Sequence, residues 1–325
     1  MRHGAATDIR SSTPAGKSVA RTPCRWLTPC VPAERTLRSC LDVRWGLTGA
    51  LVAPHHGGMN SGTWFVEHAG VRRVAKTVSP RAGGSFAAGL AVAELLERTG
   101  VAAGAPVPTV DGQLTAEVEG RPLALLAWVP GVPLTGTDQA EQRLIGRMLA
   151  RVHDALRSAS VPAADRFHWL EPAADHLGVR NWVRPAVIAA VRAYEALKPE
   201  RLSWGLLHSD PAPEAFRLDR STGRCGVIDW SVALVGPLLY DVASAVMYVG
   251  GPDRARALVE AYLAGGLLGR AELDHGLATM LRLRWAIQAD YFARRLVEDD
   301  RTGVAGPVDN ERGLEDARRA LLALR

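Results

Sequence analysis

The stretch Leu206-Leu207-His208-Ser209-Asp210 and the later stretch Val227-Ile228-Asp229 decide the fold of this chain. Each is an apolar run that closes on an aspartate, and the two aspartates stand nineteen residues apart. Two acids that leave adjacent buried strands can converge on one site, where one accepts a hydroxyl proton and the other holds Mg²⁺. A buried aspartate is costly unless it is hydrogen-bonded or metal-bound, which favours a site. The alternative is that each aspartate caps a turn or a helix.

Lysine usage points to a second kind of functional group. Only three of the 39 basic residues are lysines, and one of them, Lys76, lies inside the apolar, strand-like run 74–78. A compact ammonium on a long stem is suited to bind phosphate oxygens as a point charge. The alternative is a lysine at a sheet edge whose ammonium extends into solvent.

A turn rich in small residues precedes this lysine and joins two strand-like runs. Small residues at such a turn allow backbone N–H groups to approach a triphosphate closely. The candidates for nucleotide binding in this turn are Gly58, Asn60, Ser61 and Gly62. An ordinary hairpin connection is the alternative.

A helix is predicted over residues 86–99, and it offers an acidic partner for Lys76. Glu94 is the first candidate and Glu97 the second. An ion pair with either would hold the ammonium in place. The alternative is that both glutamates lie on a solvated helix face, because one sequence does not show which face points inward.

The pattern along the chain indicates an α+β protein of two lobes. Short β-type runs broken by glycine predict a small, β-rich N-lobe over residues 42–130. A Pro- and Gly-rich linker near residues 129–133 leads to a larger, mainly helical C-lobe over residues 131–325. Helices are predicted over 139–156 and 183–197, a β-hairpin over 216–228, and further helices over 239–324.

The ordered set of glycine-rich turn, strand lysine, helix glutamate and two aspartates is the protein-kinase-like order. In detail the chain resembles the aminoglycoside phosphotransferase and choline kinase family. Leu207-His208-Ser209-Asp210-Pro211 resembles that family's His-Gly-Asp catalytic loop, and Gly226-Val227-Ile228-Asp229-Trp230 resembles its Ile-Asp-Trp/Phe segment. Further similarity lies in Leu149–His153 and Gly236–Ala243, and the resemblance covers residues 45–325.

The resemblance implies a protein-kinase-like fold and a role for each site residue. Asp210 would be the catalytic base and Asp229 the Mg²⁺ ligand, while Lys76 would bind the α- and β-phosphates. The backbone around Leu126 to Trp128 would take the adenine of ATP, with GTP not excluded as donor. Asp241 is expected to brace the catalytic loop, and His208 to pack and hydrogen-bond.

The chain departs from the family pattern at the second metal ligand. The family has asparagine five residues after the catalytic aspartate, and here that position is Ala215. A methyl group does not coordinate a cation. Glu214, one residue earlier, has the oxygen chemistry that Mg²⁺ prefers and is our candidate for the missing ligand.

The resulting hypothesis is an ATP-dependent O-phosphotransferase that acts on a hydroxyl of a small molecule. An aminoglycoside-like antibiotic, homoserine, choline and a sugar all remain open as acceptors. A catalytically impaired pseudokinase or nucleotide-binding module is the alternative, motivated by Ala215. Candidates to line the acceptor pocket are Trp285, Gln288, Asp290, Tyr291 and Arg294, although an i,i+4 ion pair between Asp290 and Arg294 is the favoured interpretation of those two.

The charge distribution argues against a nucleic-acid partner. The formal net charge is +5, and residues 1–41, with seven basic and two acidic residues, account for all of it. This segment is expected to be a disordered extension, so that a chain beginning near Leu41 would fold and keep its activity. The longest apolar stretch, 230–251, is interrupted by Pro237, Asp241 and Ser244, which argues against a membrane span. The folded part is expected to be cytoplasmic, and the oligomeric state is left open.

Overall fold

A computed structural model describes residues 32–55, 59–167, 170–304 and 306–324. The N-lobe is a five-stranded antiparallel sheet whose strands lie in the spatial order first, second, third, fifth and fourth. In sequence, one helix precedes the strands and a second lies between the third and fourth strands. Its elements are α1 (Glu34–Trp45), β1 (Leu51–His55), β2 (Ser61–His68), β3 (Val71–Val78), α2 (Gly83–Arg98), β4 (Ala116–Val118) and β5 (Arg121–Ala127).

The N-lobe strands have the alternation of a sheet that covers a core on one face. In β2, Gly62, Trp64 and Val66 are buried, and they alternate with more exposed residues. In β3, Lys76 pairs with Thr63 of β2 and with Ala124 of β5. Residues that pair across strands share a face, so Lys76 lies on the face opposite to Trp64.

Helix α1 corrects the predicted start of the folded chain. The composition predicts that residues 34–41 belong to a disordered extension, but they form most of this helix, and Leu37, Leu41 and Trp45 are buried at i, i+4 and i+8. These three residues pack against the outer face of the sheet. The basic and cysteine-containing composition of the segment gave no indication of this helix. The expectation for residues 1–31 lies outside the described residues.

The C-lobe is mainly helical, as predicted. Its α3 and α4 end within one residue of the predicted helices, and from Leu238 to Ala323 the described residues form four helices. The elements of this lobe are β6 (Val132–Pro133), α3 (Gln139–Ala155), α4 (Val183–Ala196), β7 (Trp204–Leu207), β8 (Phe216–Leu218), β9 (Cys225–Val227), β10 (Leu234–Pro237), α5 (Leu238–Tyr248), α6 (Arg256–Leu263), α7 (Arg270–Val297) and α8 (Pro307–Ala323).

Two small sheets place the aspartates. Strand β7 pairs with β10 and ends at Leu207, three residues before Asp210. The predicted hairpin β8–β9 is present and joins β6, and β9 ends at Val227, two residues before Asp229. Both aspartates therefore follow the last residue of a short buried strand.

Helix α2 connects the two lobes through a close backbone contact. Phe86 and Leu90 pack into a small N-lobe cluster, whereas Val92 and Leu96 belong to the main core of the C-lobe. On the face between them stands Gly89, where an added Cβ would lie 2.0 Å from the carbonyl oxygen of Trp230. A glycine is required there because the helix lies directly against the backbone that follows Asp229.

Among the helices of the described residues, none is both long enough and apolar enough to span a membrane.

Candidate active site

The loop that carries Asp210 is held by a buried carboxylate, as expected for Asp241. The backbone N–H groups of His208 and Ser209 donate to the two oxygens of Asp241 at 2.7 and 2.8 Å. His153 adds a third hydrogen bond to this carboxylate at 3.1 Å. Asp241 is fully buried on the first turn of α5, and these donors satisfy it. The backbone of the loop that leads to Asp210 is therefore fixed.

His208 hydrogen-bonds on both ring nitrogens, in agreement with the structural role expected for it. Its Nε2 lies 2.8 Å from the carbonyl oxygen of Ile228, and its Nδ1 accepts from the amide of Asp210 at 3.3 Å. A carbonyl only accepts and an amide only donates, so the ring is the neutral Nε2–H tautomer. His208 thereby ties the loop of Asp210 to the strand end before Asp229.

The second aspartate pairs with the strand lysine across the cleft. Lys76 Nζ lies 2.5 Å from Asp229 Oδ1, and the lysine side chain is only 10% exposed. Asp229 lies deep between the lobes, yet 60% of its side-chain surface opens into the cleft. Burial alone would raise the pKa of Asp229, but the charge and hydrogen bond of Lys76, together with the hydrogen bond from Ser231, lower it to about 2. Asp229 is therefore an ionised, open carboxylate.

The glutamate partner predicted for Lys76 is wrong. Glu94 pairs with Arg98 one turn along α2 at 2.6 Å. Glu97 accepts from the amides of Ala103 and Gly104 and supports the turn after the helix. Lys76 pairs instead with Asp229, and the α2 residue that lies against the backbone after Asp229 is Gly89.

The glycine-rich turn contacts the C-lobe. Gly58 lies outside the described residues. Asn60 Oδ1 accepts from the Tyr291 hydroxyl at 2.8 Å, and the Met59 carbonyl accepts from Arg295 at 3.0 Å. Ser61 and Gly62 begin β2, and a Cβ at Gly62 would meet the ring of Trp64 at 2.8 Å.

The predicted adenine segment lies on the same sheet face as the lysine. Leu126 pairs with Val74, two residues from the pair of Lys76 and Ala124, so both pairs face the cleft. The Trp128 ring packs edge-on against Phe65 with their centroids 5.5 Å apart.

The candidate second metal ligand, Glu214, differs from the two aspartates because it has no basic partner among the described residues. Glu214 is exposed in the short 3₁₀ turn Pro213–Ala215, and it makes no hydrogen bond or ion pair within the described residues. Ala215 is buried, and its carbonyl accepts from the amide of Ile228. Within the described part of the chain, no group of three or more acids, histidines or cysteines is placed to hold a metal ion.

The donor set nevertheless fits a magnesium ion that is bound together with nucleotide. Mg²⁺ in kinases takes one or two protein carboxylates and completes its shell with phosphates and water. Asp229 offers one ionised carboxylate that faces the cleft. Glu214 offers another exposed carboxylate on the turn after the catalytic loop.

Two residues that contact Asp210 were not predicted. The Tyr248 hydroxyl donates to Asp210 Oδ1 at 2.5 Å, and Arg284 Nη2 donates to the same oxygen at 3.0 Å. Tyr248 lies on α5 and Arg284 on α7, far along the chain from the catalytic loop. The signal in the sequence was Asp241 and Ser244, two polar residues in the helical part of the apolar stretch 230–251, because they mark the helix face that ends in Tyr248.

The α7 residues proposed for the acceptor pocket fall into three groups. Asp290 is buried and pairs with Arg294 at 2.7 Å, which confirms the predicted ion pair, and it also contacts His176 at 2.6 Å. Tyr291 contacts the glycine-rich turn. Trp285 and Gln288 are half-buried on the same helix.

The sequence profile of the phosphotransferase enzyme family matches residues 52–275, a range that contains the aspartates and Lys76. The chain belongs to this family. A homoserine kinase from Xanthobacter autotrophicus is 31% identical over 222 residues, which are 63% of this chain and 67% of that protein. Matches to further homoserine kinases cover 47% to 48% of those proteins, so the chain spans about half the length of several relatives.

Solved structures share the two-lobed fold of this phosphotransferase. The microcompartment-associated aminopropanol kinase superposes with a TM-score of 0.70 at 17% identity, covering 89% of this chain and 96% of that one. An amicoumacin kinase in complex with AMP-PNP, Ca²⁺ and Ami gives a TM-score of 0.68 at 15% identity, covering 89% of this chain and 92% of that one. At these identities the likeness establishes the protein-kinase-like fold.

Proposed function

We propose that this phosphotransferase moves the γ-phosphate of ATP to a hydroxyl of a small molecule, with Asp210 as base and Asp229 as metal ligand. The observation that carries the proposal is the arrangement of the two aspartates. Asp241 fixes the loop of one, while Lys76 approaches the other from the opposite lobe. Such a site supplies positioning and charge stabilisation, which are the main requirements of phosphoryl transfer.

At the nucleotide end, Lys76 and Asp229 hold the phosphates. Lys76 is the only lysine on the N-lobe sheet, and its ammonium already points into the cleft. When ATP enters, Lys76 exchanges the carboxylate of Asp229 for phosphate oxygens. Asp229, ionised and open to the cleft, would hold Mg²⁺, with Glu214 as candidate for the second ligand. The metal, when bound, neutralises charge that builds up between the β- and γ-phosphates.

At the acceptor end, Asp210 orients the attacking hydroxyl. Its Oδ1 is occupied by Tyr248 and Arg284, which leaves Oδ2 for the acceptor. The new bond forms between the acceptor oxygen and the γ-phosphorus as the bond from that phosphorus to the bridging oxygen of ADP breaks. The hydroxyl proton passes to Asp210 Oδ2.

The charges near Asp210 favour a compact acceptor that is not polycationic. Asp210 is paired with Arg284, and Asp290 is paired with both Arg294 and His176. Glu214, by contrast, makes no ion pair with any basic side chain among the described residues. An aminoglycoside with several positive charges needs more unpaired acid than this. Homoserine, the substrate named for the relatives, is zwitterionic and is our first candidate.

The test is release of ADP across a panel of acceptors. Homoserine, choline, aminopropanol, a sugar and an aminoglycoside are each added to the protein with ATP and Mg²⁺. We expect release with homoserine or a similar amino alcohol, and a loss of ~10²- to 10⁴-fold in Asp210→Asn, because the variant removes the proton acceptor. The matched control is Asp219→Asn, in the β8–β9 turn on the hairpin surface.

The same assay distinguishes an active kinase from the pseudokinase alternative. That alternative rests on Ala215, which replaces a metal ligand of the family. If nucleotide binds with Mg²⁺ and no acceptor releases ADP, the chain is a nucleotide-binding module and the proposal is wrong. If release occurs with Asp219→Asn but not with Asp210→Asn, the alternative is excluded.

A further inference from the structure

The side chain of Asp210 is held by a network that no part of the catalytic loop supplies. Tyr248 and Arg284 both donate to Asp210 Oδ1, and Arg284 Nη2 also lies 3.0 Å from the Tyr248 hydroxyl. Arg284 Nε in turn donates to Ser244 Oγ at 2.8 Å. Tyr248, Arg284 and Asp210 Oδ1 therefore form a closed triangle of hydrogen bonds, and Ser244 holds Arg284 from outside it.

One face of α5 organises both this network and the loop. Asp241, Ser244 and Tyr248 stand at i, i+3 and i+7, so they lie along one side of the helix. Asp241 binds the loop backbone, Ser244 binds Arg284, and Tyr248 binds Asp210. The same rigid helix thus fixes the backbone of the loop and the side chain of its aspartate.

The donors of this network keep their protons. Burial raises the pKa of Tyr248 well above its usual value in spite of the nearby arginine charge. Burial alone would lower the pKa of Arg284, but Tyr240, Tyr248 and Asp210 together raise it above its usual value. A protonated phenol and a charged guanidinium remain directed at Asp210 Oδ1.

The geometry points to Arg284 and Tyr248 as positioning residues for Asp210: we propose that they lock its rotamer, occupy Oδ1 and present Oδ2 to the acceptor hydroxyl. The inference rests on the proposed function of Asp210 and extends it to two residues on other helices. Asp210 is 49% exposed, so without these partners its side chain would be free to rotate in the cleft. A carboxylate that is already fixed in one rotamer loses little further conformational entropy when it binds the acceptor hydroxyl.

The test compares Arg284→Met and Arg284→Lys with Arg282→Met as control. Arg282 lies on the same helix, but it bonds the backbone of Leu324 at the far end of the chain. We expect Arg284→Met to lower kcat by ~10²-fold, the cost of a misplaced catalytic group, with KM for ATP unchanged. Arg284→Lys is expected to recover part of the rate, and Arg282→Met all of it.

A double-mutant cycle separates positioning from folding. If Arg284 acts only through Asp210, adding Arg284→Met to Asp210→Asn leaves the residual rate unchanged. A further loss of the same size in that background would overturn the proposal, as would an unchanged kcat in the single variant. Tyr248→Phe keeps the ring packing and removes one donor. It is expected to cost ~10-fold in kcat, the effect of one hydrogen bond to a charged group, and Tyr194→Phe on α4 is its control.

One further measurement does not depend on turnover. The carboxyl carbon resonance of Asp210, assigned by its loss in Asp210→Asn, is expected to shift in Arg284→Met and in Tyr248→Phe, but not in Arg282→Met. An unmoved resonance would show that the contacts do not hold Asp210. If the resonance shifts while the wild type releases no ADP with any acceptor, the network stands and the proposed activity fails.

Discussion

The two aspartates of the site each have a basic partner, but the partners differ in chemistry and in origin. Asp229 is paired with Lys76, which comes from the other lobe, whereas Asp210 is paired with Arg284 within the C-lobe. Lysine is a compact charge on a flexible stem, and arginine is a planar fork that holds several acceptors at once. The difference indicates that the first pair is built to exchange partners and the second is built to persist.

This comparison predicts opposite results for the two conservative exchanges. Lys76→Arg is expected to lower kcat/KM for ATP by ~10²-fold. The planar guanidinium would stay paired with the Asp229 carboxylate and would bind the phosphates in the wrong position. Arg284→Lys keeps the charge at Asp210 and is expected to cost ~10-fold or less in kcat. Steady-state kinetics with ATP and the active acceptor measure both. Equal losses at the two positions would show that neither pair is specialised.

The site was predictable from the sequence where its residues are close along the chain. Asp210, Asp229 and Asp241 each stand in a short apolar segment. The position of each aspartate at the end of a strand or the start of a helix depends on its neighbours in sequence, so it can be predicted without the rest of the fold. The partner of Lys76 was not predictable. The orientation of α2, and therefore the position of Glu94, depends on the contact of Gly89 with the other lobe. Arg284 lies 74 residues from Asp210, and no periodicity links them.

The fold shows the same division between local and long-range information. The strands of the N-lobe, the β8–β9 hairpin and the long helices follow from alternation and spacing. Helix α1 was missed because its apolar residues are few and stand among basic residues. Their burial depends on the outer face of a sheet that is formed only later in the sequence.

The pair between the lobes depends on how closely α2 lies against the C-lobe, and Gly89 tests this. Gly89→Ala is expected to destabilise the protein by ~1–3 kcal/mol, the cost of overpacking, because the added methyl meets the Trp230 backbone and only movement of the helix relieves the overlap. That movement also separates Lys76 from Asp229, so the affinity for ATP should fall.

Gly84 on the same helix is the matched control for this substitution. An added Cβ there meets no atom within 4 Å. Gly84→Ala is expected to stabilise the protein by ~0.5–1 kcal/mol, because alanine loses less backbone entropy in a helix. Chemical denaturation and calorimetric titration with ATP measure both variants. A Gly89→Ala protein as stable as Gly84→Ala would disprove the close contact.

The two aspartate loops also differ in where their backbone strain lies. Asp229 itself adopts a left-handed backbone with φ of 71°, whereas on the other loop the left-handed residue is Ser209, with φ of 73°. Aspartate tolerates this region better than most residues with a side chain, and serine less well. Asp229 cannot be replaced to relieve this strain without removing the proposed metal ligand. Ser209 has no such role, so a substitution there can test the strain alone.

Ser209→Gly is therefore expected to stabilise the protein by about 1 kcal/mol, because glycine adopts the left-handed region without strain. The Ser209 hydroxyl is also buried without a hydrogen-bond partner among the described residues, which adds a cost that any residue lacking it avoids. Ser209→Ala separates the two causes, since it removes the hydroxyl and keeps the Cβ. We expect the free energy of unfolding to rise from serine to alanine to glycine. If alanine and glycine are equally stable, the strain is absent, and the two loops differ only in their basic partners.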